Sequence, residues 1–291
     1  MAKQDVAPPL HPAHLRRLAK NALAEDQARH DVTTAALVPP EQQGRAVIVA
    51  KAEGVLAGLP MAEAVFKALD PSLAWRPLAA EGARLSPGQA VAEVEGPLAA
   101  ILRAERVALN YLTHLSGVAT ATARLVEAIA GTTCRLRDTR KTTPGLRTLE
   151  KYAVRVGGGE NHRFTLADAV LIKDNHLAAL AARGLGIADA VRLAREAAPP
   201  DMRVQIEVTS AEEARQALAA GAHELLLDNM RAEEMRRVVD LANRKAVLEA
   251  SGGITLANAR QVAETGVDYI SVGAITHSAP ALDLSLEVAP S

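Results

Sequence analysis

The sequence contains little cysteine, few aromatic residues and no long apolar run. Its 291 residues include one cysteine, Cys134, and aromatic residues make up 2% of the chain. A single cysteine excludes an internal disulfide framework and a cysteine-rich metal site, and the alternating run TTCRLRD favours a buried structural thiol. Scarce aromatic rings give no stacking surface for single-stranded nucleic acid. No apolar run approaches the ~20 residues that span a bilayer.

The chain also lacks an excess of charge of either sign, because its formal net charge is -1 at pH 7. A near-neutral protein has no broad phosphate-binding surface, so nucleic acid is not an expected partner. The N-terminal stretch MAKQDVAPPLHPAHL has no apolar core of a signal peptide. These features predict a cytoplasmic globular protein with neither a membrane nor a nucleic acid as its partner.

Apolar spacing indicates different secondary structure along the first part of the chain. LRRLAKNALAED has helical spacing, whereas HDVTTAALVPPEQQG reads as irregular. Residues 45–95 contain short strand-like runs separated by glycine and proline, which predicts a small β-rich domain. PLAAILRAERVALNYLTHLSG opens with proline and predicts a connecting helix that ends near Gly117.

After residue 131, apolar runs alternate with helical stretches. The runs are CRLRD, AVLIK, VQIEV, ELLLD, AVLEAS and YISVG, and Ser210 and Glu213 have the spacing of a capping box between two of them. This alternation predicts parallel strands covered by helices. The spacing alone fits either an α/β barrel or a doubly wound sheet.

Positive charge is concentrated between Asp138 and His176, around the glycine triplet at 157–159. The cations are Arg140, Lys141, Arg147, Lys151, Arg155, Arg163 and Lys173, accompanied by His162. They lie among turn residues and at the ends of apolar runs, so they do not form one solvated helix face. Arginine pairs bidentately with carboxylates and phosphates, and lysine supplies a point charge. The region predicts a pocket for a small polyanion.

Each predicted strand ends in polar or glycine residues or runs directly into them. These residues are Asp138, Thr139, Arg140, Lys141, Lys173, Glu207, Asp228, Ser251, Gly252, Gly253 and Gly273. In an α/β barrel the carboxyl ends of the strands form one rim, where active sites are built. Glu207 and Asp228 are oxygen ligands suited to Mg²⁺ or to ribose hydroxyls. The turns at 251–253 and 272–274 each precede a predicted helix start, a favourable phosphate site.

Seven segments together resemble the quinolinate phosphoribosyltransferase family. They are ERVALNYLTHLSGVAT, DTRKTTPGLRTLEKYAV, GGGENHR, LIKDNH, LLLDN, EASGGI and SVGAITHS, and they occur in the family's order from Glu105 to Ser278. The resemblance implies an α/β fold with a C-terminal incomplete α/β barrel and a small N-terminal open β-sandwich (α+β) domain. The implied domains are 1–116 with the connecting helix, onto which residues 278–291 pack back, and the catalytic barrel at 117–277.

The same resemblance implies an enzyme that converts quinolinate and phosphoribosyl pyrophosphate into nicotinate mononucleotide, pyrophosphate and CO₂, with Mg²⁺ and no organic cofactor. Lys141, Lys173, Glu207 and Asp228 would be catalytic, and Glu207 and Asp228 would contact the metal directly or through water or substrate. The implied substrate-binding residues are Arg106, Thr139, Arg140, Lys141, His162, Arg163, Lys173, Ser251, Gly252, Gly253, Val272, Gly273, Ala274 and His277. A homodimer or higher homo-oligomer is implied, with Arg106 acting across the interface.

Three alternatives remain open at this point. A related enzyme could use nicotinate, although one carboxylate needs fewer cations than the sequence supplies. A non-catalytic relative would be expected to lack Lys141, Glu207 or Asp228, and all three are present. An aldolase could use Lys173 as a Schiff-base amine, but the surrounding arginines favour anion binding.

Overall fold

The computed structural model describes residues 10–288, which fold into two compact units. The first comprises the chain up to Ala123, Thr143–Gly158 and the residues from Ile275 onward; the second comprises Arg124–Thr142 and Gly159–Ala274. The sequence-based division into 1–116 and 117–277 placed residues 143–158 with the barrel. Contacts explain the difference, because the Tyr152 hydroxyl donates to Glu81 at 2.7 Å and His114 contacts Glu150 at 3.0 Å within the first unit.

The described residues form the helices α1 (Pro12–Glu25), α2 (Val32–Leu37), α3 (Leu59–Leu69), α4 (Leu98–Ala128), α5 (Arg147–Val156), α6 (Asp174–Ala181), α7 (Ile187–Ala197), α8 (Ala211–Ala219), α9 (Ala232–Ala242), α10 (Ala259–Ala263) and α11 (Ala274–His277). The strands are β1 (Gln43–Ala50), β2 (Gly54–Val55), β3 (Ala74–Pro77), β4 (Arg84–Leu85), β5 (Ala90–Pro97), β6 (Arg135–Arg137), β7 (Val170–Ile172), β8 (Val204–Val208), β9 (Glu224–Asp228), β10 (Val247–Ser251), β11 (Tyr269–Ser271) and β12 (Leu284–Val288). Within residues 10–288, none of these helices combines the length and apolarity that a membrane crossing requires.

An antiparallel sheet in the order β12-β1-β5-β3 organises the first unit. Every second residue of β1 points inward, so that Ala46, Ile48 and Ala50 are fully buried. Helix α1 packs against α3, and Phe66 of α3 stacks on Trp75 of β3 with ring centroids 5.5 Å apart. The unit is therefore an α+β open sandwich.

The sequence interpretation missed α2 and α3. Most α3 positions are apolar and buried, so it shows little helical periodicity. Its start depends on Gly58, whose φ is 106°, and on the Glu81 carboxylate, which accepts the N–H groups of Gly58 and Leu59 at 2.6–3.0 Å. Because this cap comes from a distant segment, no local motif announces it.

Helix α4 also differs from its prediction, because it continues to Ala128 instead of ending near Gly117. A Cβ atom at position 117 would collide with the backbone of Pro280 and Ala281. Gly117 therefore serves a close approach between two backbones and not a helix end.

The second unit contains a parallel six-stranded sheet in the order β6-β11-β10-β9-β8-β7. All six predicted strands are present. From β7 to β11 the strands are spatial neighbours in sequence order, and the first strand, β6, lies beside the last. In a doubly wound sheet the strand order would reverse at an internal strand. The order seen here does not reverse, so the sheet is an α/β barrel that is left open between β6 and β7. Ser210 caps α8 by accepting the Glu213 N–H, while the Glu213 carboxylate accepts the N–H of Thr209. Cys134 is buried, and burial raises the pKa of its thiol to about 12.

Candidate active site

A cavity of about 660 Å³ opens where the strands of the second unit end. Predicted site residues that line it are Thr139, Arg140, Lys141, His162, Arg163, Lys173, Glu207, Asp228, Ser251, Gly252 and Gly253. Leu171, Asp174, Leu226, Asn229, Glu249 and Ser271 complete the lining. This is the rim on which α/β barrels build their active sites.

Strand register explains why these side chains share one cavity. Residues that are paired across parallel strands lie level with one another, and residues two apart on a strand point to the same face. One level contains Glu207, Leu226, Glu249 and Tyr269, and the level nearer the strand ends contains Asp228, Ser251, Ser271 and Arg137. The cavity is lined by Glu207, Leu226 and Glu249 from the first level and by Asp228, Ser251 and Ser271 from the second.

Two guanidinium groups supply the cationic side of the cavity. Arg163 is 7% exposed, and its Nη1 donates to the backbone oxygen of Ala169 at 2.7 Å. Burial and the neighbouring Arg140 lower the pKa of Arg163, although a guanidinium keeps its charge in proteins. The Nε atom of Arg140 is buried and has no hydrogen-bond partner within residues 10–288. The cavity therefore has two neighbouring guanidinium groups on one side, a pairing suited to a ligand with more than one negative charge.

Glu207 and Asp228 form the acidic side. The Oε2 atom of Glu207 lies 3.5 Å from Nζ of Lys173, which is an ion pair longer than a good hydrogen bond. Burial, and then the negative charges of Asp228 and Asp174, raise the pKa of Glu207 against the opposing effect of Lys173. Asp228 accepts the Asn229 side-chain amide at 2.8 Å. The protein thus holds an under-satisfied carboxylate beside a second one.

This pair fits Mg²⁺ only together with a substrate. The described part of the chain contains no cluster of three or more His, Cys, Asp or Glu residues that could hold a metal by itself. Mg²⁺ commonly takes one or two carboxylates and completes its coordination with water and substrate phosphates. The buried Oε2 of Glu207, which has no hydrogen-bond partner among residues 10–288, is suited to that role.

A glycine turn closes the mouth of the cavity after β10. Gly252 and Gly253 have φ values of 91° and 62°, where glycine has no steric penalty. A Cβ atom on Gly252 would overlap the side-chain amide of Asn229, whose backbone N–H donates to Ser251 at 2.9 Å. The helix that the sequence predicts after this turn, α10, begins only at Ala259. The N–H groups here belong to a loop and not to a helix end.

The sequence interpretation missed a buried polar network beneath the cations. Glu249 is fully buried, and its Oε2 accepts from Arg137 Nη1 and from Gln205 Nε2, each at 3.2 Å. Gln205 in turn lies 3.1 Å from Nε2 of His162. The Arg137 guanidinium also lies over the Tyr269 ring, 3.2 Å from its centroid. A sequence signal existed, because Gln205 and Glu249 each lie two residues before a predicted site residue on the same strand.

Asp138 holds the segment that carries His162. Its fully buried carboxylate accepts the Asn161 side chain at 2.6 Å and the His162 backbone N–H at 2.8 Å. The sequence placed Asp138 at a strand end without indicating what it does. In the structure its carboxylate holds the segment that carries Asn161 and His162.

Five predicted residues are not among the described residues that line the cavity. Arg106 is exposed on α4, and His277 is exposed at the end of α11, where its Nδ1 contacts Ser278 at 2.6 Å; both belong to the first unit. Val272, Gly273 and Ala274 follow Ser271 in the chain. The Val272 N–H donates to the backbone oxygen of Arg137 at 3.1 Å. Of this segment, the described cavity lining includes Ser271 and not the three residues that follow it.

The fold and the cavity define a class of protein, an α/β-barrel protein whose cavity at the carboxyl ends of its strands is lined by both cations and carboxylates. Models of the C-terminal and N-terminal domains of quinolinate phosphoribosyl transferase match residues 118–287 and 31–116. The Synechocystis sp. protein named probable nicotinate-nucleotide pyrophosphorylase (carboxylating) is 45% identical over 269 residues, covering 91% of this chain and 90% of that protein. The human nicotinate-nucleotide pyrophosphorylase (carboxylating) is 44% identical over 282 residues, covering 92% and 93%.

The solved structure of the nicotinate-nucleotide pyrophosphorylase from Francisella tularensis matches with a TM-score of 0.91 and 39% identity, covering 99% of this chain and 100% of that one. The chain belongs to the quinolinate phosphoribosyl transferase family.

Proposed function

We propose that this protein transfers the phosphoribosyl group of phosphoribosyl pyrophosphate to quinolinate and releases CO₂, forming nicotinate mononucleotide and pyrophosphate in NAD biosynthesis. One observation carries the proposal beyond family membership. The guanidinium groups of Arg140, whose buried Nε has no hydrogen-bond partner among residues 10–288, and of Arg163 line the same cavity as the carboxylates of Glu207 and Asp228. A dianionic acid and a phosphorylated sugar need these two kinds of surface side by side.

On the cationic side, Arg140 and Arg163 hold the two carboxylates of quinolinate, with His162 and Lys173 at the edge of the same site. Bidentate guanidinium pairs fix both the position and the tilt of a planar carboxylate. The ring nitrogen is thereby directed toward the anomeric carbon, and such positioning lowers the barrier of a bimolecular transfer.

On the acidic side, Glu207 and Asp228 bind the ribose hydroxyls or Mg²⁺. When bound, Mg²⁺ supplies positive charge that stabilises the departing pyrophosphate. Lys141 and Lys173 direct their ammonium groups toward the phosphoribosyl substrate, where negative charge develops as the bond to pyrophosphate breaks. Thr139 and the turn at Ser251–Gly253, with the segment from Val272 to Ala274 and His277, receive the sugar phosphates.

Loss of CO₂ requires no organic cofactor in this scheme. Bond formation between the pyridine nitrogen and the anomeric carbon places a positive charge on the ring. When the 2-carboxylate leaves as CO₂, the electron pair of the broken bond stays on that ring carbon, where the adjacent positive nitrogen stabilises it, and a proton from water then binds there. The cationic wall of the site keeps the substrate oriented through both steps.

The rival functions fit the cavity less well. Nicotinate would leave part of the cationic pair unused, and a buried unpaired guanidinium costs several kcal/mol. A Schiff-base lysine needs an apolar or cationic surrounding that favours the neutral amine, whereas the Lys173 side chain is 47% exposed and lies beside Glu207. A binding protein without catalysis would not need the acidic pair.

We further propose a homodimer in which Arg106 of one chain completes the site of the other. The support is the family resemblance, together with the exposure of Arg106 on α4 outside the cavity lining. The domain limits at residues 116 and 277 and a cytoplasmic location are retained as part of this proposal.

The direct test is a phosphoribosyl-transfer assay with quinolinate and nicotinate side by side and with Mg²⁺ present or chelated. We expect nicotinate mononucleotide and CO₂ to appear in equal amounts from quinolinate, and only while Mg²⁺ is available. Turnover of nicotinate at a comparable kcat/KM, or mononucleotide without CO₂, would refute the assignment.

A further inference from the structure

In the buried network of Arg137, Glu249, Gln205 and His162, the donor and the acceptor of each hydrogen bond can be assigned. Arg137 can only donate, so the Oε2 atom of Glu249 must act as an acceptor in their 3.2 Å contact. The Gln205 side chain, also 3.2 Å from that oxygen, must therefore present its NH₂ group to Glu249. Its Oε1 atom consequently faces His162. This assigns the orientation of an amide from its partners, as such assignments require.

At the other end of the network, the contacts of His162 independently give the same direction of donation. The backbone N–H of Arg163 donates to Nδ1 of His162 at 2.8 Å, so this nitrogen carries a lone pair and not a proton. The proton of the neutral ring is then on Nε2, which donates to Gln205 Oε1 at 3.1 Å. A backbone N–H and a guanidinium are donors under all conditions of interest. Both ends therefore direct hydrogen bonds toward Glu249.

We infer that Glu249 is a positioning residue of the anion site, which acts through Gln205 to set the tautomer and ring orientation of His162 and, through His162, the backbone of Arg163. The inference rests on the proposed function only in assigning the bound anion as quinolinate. Carboxylates that orient a functional histidine through its second ring nitrogen are known to matter in metal sites. Here the Gln205 amide bridges the carboxylate and the histidine, and Nε2 of His162 also lies 3.6 Å from Oε2 of Glu249, a separation too long for a hydrogen bond.

Burial explains why this network holds one arrangement. Glu249 is 0% exposed, Gln205 3% and Arg163 7%, so water cannot readily replace a misdirected partner. An incorrectly oriented amide would place two donors or two acceptors against each other in a region where unmatched polar groups are costly. The carboxylate of Glu249 cannot be reversed, whereas an amide in its place could present either its oxygen or its NH₂ group.

Glu249→Gln and Gln205→Met test the inference, with Glu93→Gln as the matched control. Glu93 is 6% exposed and bonds to two arginines, Arg45 and Arg76, in the antiparallel sheet of the first unit. Its substitution removes the same charge from a comparably buried position outside the cavity. The Gln205→Met variant retains the Arg137–Glu249 pair and decides the question if Glu249→Gln does not fold.

The first measurement is the tautomer of His162 by side-chain NMR of ¹⁵N-histidine-labelled protein without substrate, with the signal assigned by its loss in His162→Asn. We expect the Nε2–H form in the unsubstituted protein and in Glu93→Gln, and a mixture in the other two variants. An Nδ1–H ring in the unsubstituted protein, or an unchanged tautomer in both network variants, would overturn the inference. Because no substrate is present, this result is independent of the proposed function.

The second measurement is steady-state kinetics with each substrate varied. We expect KM for quinolinate to rise and kcat/KM to fall roughly 10-fold to 100-fold in the network variants, with KM for phosphoribosyl pyrophosphate unchanged. An equal loss in Glu93→Gln, or an equal rise in both KM values, would identify a general effect of structure and reject a positioning role. Absence of quinolinate turnover in the unsubstituted protein would refute the proposed function and leave the NMR result standing.

Discussion

Replacing Arg163 by lysine tests the carboxylate clamp most directly. The Nη1 atom of Arg163 donates to the Ala169 carbonyl at 2.7 Å while the side chain also lines the cavity together with Arg140. A single lysine ammonium cannot bind the carbonyl and a ligand in the cavity in the same geometry. Loss of one charge-assisted hydrogen bond costs about 2 kcal/mol, or roughly 30-fold at ~1.4 kcal/mol per factor of ten. Displacement of the bound acid by about 1 Å can bring the total to the order of 100-fold.

The assay is initial-rate kinetics with quinolinate varied at saturating phosphoribosyl pyrophosphate, and then the reverse. We expect kcat/KM for quinolinate to fall by that amount in Arg163→Lys, and similarly in Arg140→Lys. Arg192→Lys is the control, because Arg192 is exposed on α7 and pairs only with Asp189 and Glu196 on its own helix among residues 10–288; such pairs contribute little. Near-normal kinetics in both site variants would refute the clamp.

Four further predictions concern the substrate, the turnover and the stability of variants of the acidic pair, and the dimer. Quinolinate should exceed nicotinate in kcat/KM by at least about 100-fold, and comparable values would show that the second carboxylate is not recognised. Glu207→Gln and Asp228→Ala should each lower turnover about 100-fold or more while quinolinate binding, measured by calorimetry, stays within a few-fold. Burial raises the pKa of Glu207, so its ionised form destabilises the folded protein at neutral pH. Glu207→Gln should therefore raise the ligand-free thermal midpoint, a gain that shrinks as pH falls through the folded pKa; a lower midpoint at pH 7 would contradict this. Arg106→Ala and Lys173→Ala should each be nearly inactive, and random remixing should restore about a quarter of normal activity because about half the dimers carry one intact site; a mixture that stays inactive while mixed dimers form would place Arg106 in its own chain's site.

Much of the barrel could be predicted from the sequence, for a local reason. Buried parallel strands are continuous apolar runs, so each predicted run from CRLRD to YISVG contains a strand of the sheet. The polar residues that follow these runs had to meet at one rim, whichever way the barrel was wound. Lys173, Glu207 and Asp228 could therefore be assigned to one site from the sequence, and all three line the cavity.

Other features depended on contacts between distant segments. Helix α3 begins where Glu81 caps Gly58, and α4 continues past Gly117 because a remote backbone occupies the space of a side chain there. Neither contact leaves a periodic signal. The loop after Gly253 extends to Ala259, although the sequence favoured a helix start.

What the sequence determined by itself is the set of strands, the residues at their ends and the family, since these depend on local periodicity and on motifs whose residues are close along the chain. Only the tertiary structure decided the winding of the sheet and the partners of Glu249. Gln205, Glu249 and His162 are separated by tens of residues, and their hydrogen-bond polarity exists only once three segments are packed together and water is excluded.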